Sequence, residues 1–199
     1  MLPKPIQNFV DLFAKLPSIG PRQATRLAFY IKTLGDAPVA DLAKAVDDLR
    51  NVKICPQCFF SYLGPKNTCD ICNNNQRRKD IIAIVEKETD LISLEKTKKF
   101  SGRYLVLGEL KKDGVLDSLQ KLRLSSLKKM IDKDLGGQAE EIILAMNPTT
   151  YGDLNAALIL QDLKGRVKKI SRLGIGLPTG GEIEFADEDT LGNAIDNRG

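Results

Sequence analysis

Cys55 to Cys72 reads CPQCFFSYLGPKNTCDIC, and it holds every cysteine of a 199-residue chain that has no histidine and no tryptophan. The spacing is C-x2-C, ten residues, then C-x2-C. Each pair presents two sulfurs from a tight turn, and four sulfurs suit the tetrahedral shell of Zn2+. Pro56 fixes backbone φ after the first cysteine, and Gly64-Pro65 bends the chain so that the second pair meets the first. With Cys55, Cys58, Cys69 and Cys72 all ligating, no coordination position is left for water, so the expected zinc is structural. Two disulfides or a redox pair form the competing reading. MLPKPIQNF is broken by prolines and lacks the apolar run of a signal peptide, which points to a reduced, cytoplasmic chain where disulfides are rare. An iron–sulfur cluster is the other occupant that four thiolates accept.

Around that stretch, from Val52 to Asp80, the large apolar side chains are Ile54, Phe59, Phe60, Tyr62, Leu63 and Ile71. They are too few for a core, so metal binding is expected to supply folding free energy. The whole chain, at 42% apolar and 28% charged, has room for one or two compact domains beside this module. No apolar run approaches membrane-spanning length. The net charge of +4 is unevenly spread: residues 1–79 carry twelve Lys/Arg against six Asp/Glu, whereas the segment from Leu173 carries six acids against Arg198 alone. A basic front suits a polyanion, and an acidic rear suits a different, basic partner. Solvated helix faces that happen to be basic would give the same count.

Upstream of the cysteines, IQNFVDLFAKL places Ile6, Phe9, Val10, Phe13 and Leu16 at helical spacing. PSIGPR follows as a hairpin in which Pro17 stops the helix, Gly20 allows a tight turn, and Pro21 opens a second helix. That helix, PRQATRLAFYIKTL, turns Ala24, Leu27, Ala28 and Ile31 inward, with Arg22 and Arg26 sharing a face. VADLAKAVDDLR reads as a third amphipathic helix. A glycine turn feeding a helix start leaves N–H groups free for a phosphate oxygen, and Arg22 and Arg26 add backbone contacts that read no base. The segment is similar to the helix-hairpin-helix, a sequence-neutral DNA-binding hairpin, with Ser18 where that motif commonly has its first glycine. An ordinary helical hairpin with exposed arginines is the plainer alternative.

Downstream, apolar runs alternate with helices. IIAIVE (Ile81–Glu86), RYLVLG (Arg103–Gly108), EIILAMN (Glu141–Asn147) and VKKISRLGIGL read as strands. TDLISLEKTKKF, LDSLQKLRLSSLKKMIDKDL and LNAALILQDLK read as the helices between and after them. The pattern predicts an α/β fold with a mostly parallel sheet flanked by helices. Ligands of such sheets lie beyond the C-terminal strand ends, where Glu86 and the loop NPTTYGD from Asn147 to Asp153 stand.

A Glu after the first strand with a polar turn after a later one resembles the Toprim domain, whose catalytic members combine that Glu with aspartates holding Mg2+. Here Asp153 is the one carboxylate of the loop, a thin shell for a hard cation, so any Mg2+ is expected to bind weakly. In order, the parts resemble the RecR family of bacterial recombination mediators along essentially the whole chain. LPSIGPRQATRLAF, the four cysteines, FSGRYLVLG, NPTTYGD and LPTGGEIEFADEDTLGNAI carry the likeness. It divides the chain into a helix-hairpin-helix domain (1–52), a C4 zinc finger (53–79), a Toprim domain (80–175) and a C-terminal family-specific segment (176–199).

That resemblance implies a non-catalytic DNA-repair factor. Such a protein forms a ring-like homo-oligomer, a dimer or tetramer, around DNA and acts with RecO and RecF in loading recombinase at gaps and breaks. It places Gly20, Arg22 and Arg26 on DNA, zinc on the four cysteines, and Glu86, Asn147 and Asp153 on the surface where RecO docks. Tyr151 stands where the family's loop usually has Glu, and Gly174-Ile175 where it has Ala-Arg. The segment after Gly108 is shortened. The rival reading from another class is a Mg2+-dependent Toprim phosphotransferase or nuclease built on Glu86 and Asp153. A third is a protein scaffold whose hairpin only packs.

Overall fold

A computed structural model describes residues 2–111, 114–174 and 176–198 of the chain. Two compact units divide it, Met1–Val52 and Lys53–Gly199. Residues 53–79, which bring few apolar side chains of their own, fall in the second unit with the sheet.

In the first unit, α1 (Lys4–Phe13) packs on α2 (Pro21–Lys32), and α3 (Asp36–Asp48) follows. Val10 is buried from α1, and the Phe9 and Phe13 rings stack at 3.8 Å. Ala24 and Ala28 are buried from α2, small residues that let two helices approach closely. Leu16, expected on the inner stripe, is exposed instead. The third helix forms as expected, but it buries none of its residues; Leu42 and Val46, and Leu49 just beyond its end, stay open to solvent.

The second unit carries a four-stranded sheet in the order β4-β3-β5-β6, with every neighbouring pair parallel. The strands are β3 (Ile81–Val85), β4 (Arg103–Val106), β5 (Ala139–Ala145) and β6 (Val167–Arg172). The expected third strand is displaced two residues toward the N-terminus, so Met146 and Asn147 lie beyond its end. Helix α5 (Glu88–Lys96) links β3 to β4, α6 (Ser118–Asp134) links β4 to β5, and α7 (Thr150–Asp162) links β5 to β6. The chain winds one way from β3 to β4 and the other way from β5 to β6, and right-handed crossovers then put the helices on opposite faces.

Strand alternation divides the core accordingly. Ile82, Ile84, Leu105, Ile142 and Leu144 pack with Leu124, Leu127 and Ile131 of α6 and Ile159 of α7. On the other face, Ala83, Val85, Tyr104, Val106 and Ala145 pack with Leu91 of α5 and with Phe59, Phe60 and Ile71 of the cysteine segment. That segment thus shares the sheet's core. It also contains two short elements the periodicity did not show, the antiparallel pair β1 (Lys53–Ile54) and β2 (Ser61–Tyr62), and the single turn α4 (Asp70–Asn73). After β6, the acidic end forms α8 (Glu188–Asp196), which buries no residue and starts on an Asp187 cap. No described helix is long and apolar enough to cross a membrane.

Candidate metal centre and sheet-edge site

Each cysteine pair turns as its spacing requires. The Phe59 N–H donates to the Cys55 carbonyl at 2.9 Å, and the Cys55 N–H donates to the Phe60 carbonyl at 2.9 Å, closing a tight knuckle. Cys69 precedes α4 and Cys72 lies within it. All four thiols are free and buried, and their Sγ atoms lie within 4.8 Å of one another. A tetrahedron of sulfurs at the usual zinc–sulfur distance has edges of about 3.8 Å, so the cluster has the right size. Among the described residues it is the one group of three or more metal-ligating side chains that comes together. Hydrogen bonds from Cys58, Cys69 and Cys72 pull the Cys55 thiol far below its ordinary value, while the same contacts and burial push Cys58 up. Four thiols packed this closely are a donor set for a divalent ion that replaces their protons. Four buried thiolate donors form a closed, structural metal site.

The knuckle is fastened to the sheet by backbone and side chains. β4 is an edge strand, and its Val106 N–H donates to the Cys58 carbonyl at 2.8 Å, which covers an otherwise open edge. Phe59 sits in the left-handed region at φ 61°, uncommon for a bulky residue, and its ring carries the Arg123 guanidinium 5.0 Å from the centroid. Ser61 donates its N–H and hydroxyl to Glu88 of α5, both at 2.8 Å. At the module's exit, Arg77 forks onto Glu95 at 3.0 and 2.6 Å and donates to the Gly102 carbonyl at 2.7 Å. None of these anchors showed in the spacing.

At the C-terminal ends of β3 and β5, where the sheet's winding direction reverses, Glu86 and Asn147 meet. Asn147 donates its side-chain amide to the Glu86 carboxylate at 3.3 Å, and the Leu110 N–H donates to the other carboxylate oxygen at 3.2 Å. Glu86 is buried. Asp153, expected beside it, is paired instead with Arg172 at the end of β6. Arg172 was the residue sequence reasoning missed: the strand read as running on through Leu177 ends at Arg172, and that end brings its side chain to Asp153. Among the described residues no three carboxylates come together, and Glu86 and Asp153 each turn to a different partner. The loop between Asn147 and Asp153 is set by Thr149, whose hydroxyl caps α7 by accepting from the Gly152 N–H at 3.1 Å. Gly152 admits no side chain, because a Cβ there would lie 2.2 Å from the Asn147 carbonyl oxygen. Tyr151 is exposed, and Ile175 lies outside the described residues.

On the first unit, Gly20, Arg22 and Arg26 are all exposed. Gly20 is the N-cap of α2 with extended backbone, and no side chain caps that helix. The left-handed residue of the turn is Ser18 at φ 63°, so the tight turn expected of Gly20 is made two residues earlier. A Cβ on Gly20 would meet nothing within 4 Å. Neither its backbone nor its packing demands glycine, and what the missing side chain provides is an unobstructed helix start.

A family model described as the Toprim domain matches residues 80–174, and one described as RecR, C-terminal, matches residues 176–198. Joined to the four-cysteine cluster that precedes them, these matches make the chain a member of the RecR family, with a role in recombinational repair.

Proposed function

We propose that the chain is a non-catalytic, sequence-independent DNA-binding clamp and adaptor. It acts with RecO and RecF in loading recombinase at gaps or breaks. The observation that carries the reading is the bare start of α2: exposed Gly20 and Pro21 open a helix that no side chain caps, beside exposed Arg22 and Arg26. Such a helix start favours an anion, and the arginines extend the contact to neighbouring phosphates without touching a base. The four cysteines hold zinc in this reading, as the module's metal. The Toprim surface serves docking in this reading, with Glu86 accepting from Asn147 and Leu110 and Asp153 paired with Arg172.

Closure around a duplex requires more than one copy. The first unit leaves apolar side chains for such a contact, since Leu12, Tyr30, Val46 and Leu49 are each more than half exposed in the single chain. The mass of the protein in solution, with and without double-stranded DNA, tests the reading. A closed oligomer that gains the mass of one duplex supports the clamp. A monomer under both conditions rejects it.

A further inference from the structure

Val106, the last residue of edge strand β4, is gripped from two sides. Its N–H donates to the carbonyl of metal-ligand Cys58 at 2.8 Å, and its carbonyl accepts from Arg123 Nη1 at 3.0 Å. Arg123 is in turn seated over the ring of Phe59, the residue that directly follows Cys58. Both grips therefore trace to the first cysteine knuckle. From Val106 the chain runs straight to Glu86: the Leu107 N–H donates to the Val85 carbonyl at 2.8 Å, and the Gly108 N–H donates to the Glu86 carbonyl at 3.0 Å. The Leu110 N–H then closes on the Glu86 carboxylate at 3.2 Å. Gly108 sits at φ 104°, and a Cβ there would lie 3.4 Å from Arg123 Nη1, so the turn is moulded against that guanidinium.

We infer that the metal knuckle acts as a conformational latch on the β4 edge, so that metal loading fixes the surroundings of Glu86 in the sheet-edge site. The physical reason lies in Phe59. Its left-handed backbone is strained and persists only where the surroundings hold it, and ligation of Cys58 is the constraint next to it. Released, Phe59 relaxes, Arg123 loses its platform, and Val106 loses the Cys58 carbonyl. Without the ring, Arg123 keeps its hydrogen bond to the Val106 carbonyl but loses the face that seats it, so its hold on the strand end loosens. The inference needs neither DNA nor partner binding to hold.

Coupling of this kind is reciprocal, which makes it testable at a residue that touches no thiol. Zinc affinity is measured on the full chain by competition with a chromogenic chelator. Arg123→Ala is expected to weaken zinc binding by about fivefold or more, the lower bound of ordinary site-to-site coupling. Unchanged affinity overturns the latch. The second measurement uses the unaltered chain, whether or not that variant folds. Hydrogen exchange is followed with zinc bound and after its withdrawal. Exchange is expected to rise in residues 103–111 as well as 53–79, while 139–145 and 167–172 keep their protection. A rise confined to 53–79 overturns the proposal, and so does loss of protection across the whole sheet, which would make the metal a general support rather than an edge latch.

Discussion

Asn147 and Glu86, 61 positions apart, join the ends of two neighbouring parallel strands through one amide-to-carboxylate hydrogen bond of 3.3 Å. A buried carboxylate that loses such a donor retains its desolvation penalty, so Asn147→Ala is expected to cost about 1–3 kcal/mol in denaturant unfolding. Asn147→Asp puts two carboxylates in contact and is expected to cost more, with part of the loss recovered when millimolar Mg2+ is added. Equal stability with and without Mg2+ in that variant would show that two carboxylates at this spot do not make a cation site.

Arg77 and Glu95 form a two-armed ion pair in which the arginine side chain is only 12% exposed. Removing Arg77 leaves Glu95 without its fork but still partly in water, so Arg77→Ala is expected to cost about 1–3 kcal/mol. Burial works to raise the Glu95 carboxyl, yet the Arg77 fork overrides it and holds the group below its usual value. A carboxyl depressed in the folded state stabilises at pH values above its unfolded value, about 4.3, and the contribution fades as pH falls through the lower folded value. The stability gap between the native chain and Glu95→Gln is therefore expected to be full at neutral pH and to shrink below about pH 4. A gap independent of pH would contradict this sign.

Gly152 faces a backbone carbonyl rather than a yielding side chain. Gly152→Ala must move the start of α7 away from Asn147, which strains the loop at a cost of about 1–3 kcal/mol and disturbs the Asn147–Glu86 bond. Thermal unfolding gives the stability change. Gly20→Ala, by contrast, meets no atom within 4 Å and is expected to leave stability nearly unchanged while weakening DNA binding. A glycine whose replacement harms neither would lose its assigned place at the phosphate contact.

Elemental analysis of protein purified without added metal is expected to find one zinc per chain and no iron. Cys58→Ser should lose the metal and lower the unfolding temperature. Iron with visible absorption would turn the cluster into the iron–sulfur alternative that four cysteines also permit.

Much of this was legible from residue types alone. The two C-x2-C pairs announced a metal cluster because thiol spacing and tetrahedral geometry are both local. The parallel sheet was legible because its central strands, such as Ile81–Val85, are buried on both faces and read as unbroken apolar runs. The anchors of the cysteine segment were hidden. Val106 to Cys58 is a backbone bond, which any residue type can make, and Arg123 reaches Phe59 across 64 positions of chain. Pairing of Asp153 with Arg172 rather than with the Glu86 neighbourhood was hidden for the same reason, since two strands must first be placed side by side. The amphipathic periodicity of α3 was legible but not the exposure of its apolar face, because periodicity shows that a face is apolar and not what covers it.

The grip of Arg22 and Arg26 on the phosphate backbone is most directly tested by titrating unrelated duplexes with the native chain and with the Arg22→Ala/Arg26→Ala double variant over a range of salt. The native chain should bind all duplexes alike, with affinity falling steeply as salt rises, and the double variant should bind all of them more weakly, its log–log salt slope shallower by about 2. Unchanged affinity and slope in the double variant, or duplex cutting with Mg2+ that disappears in Glu86→Gln, would contradict a non-cutting clamp held by that helix.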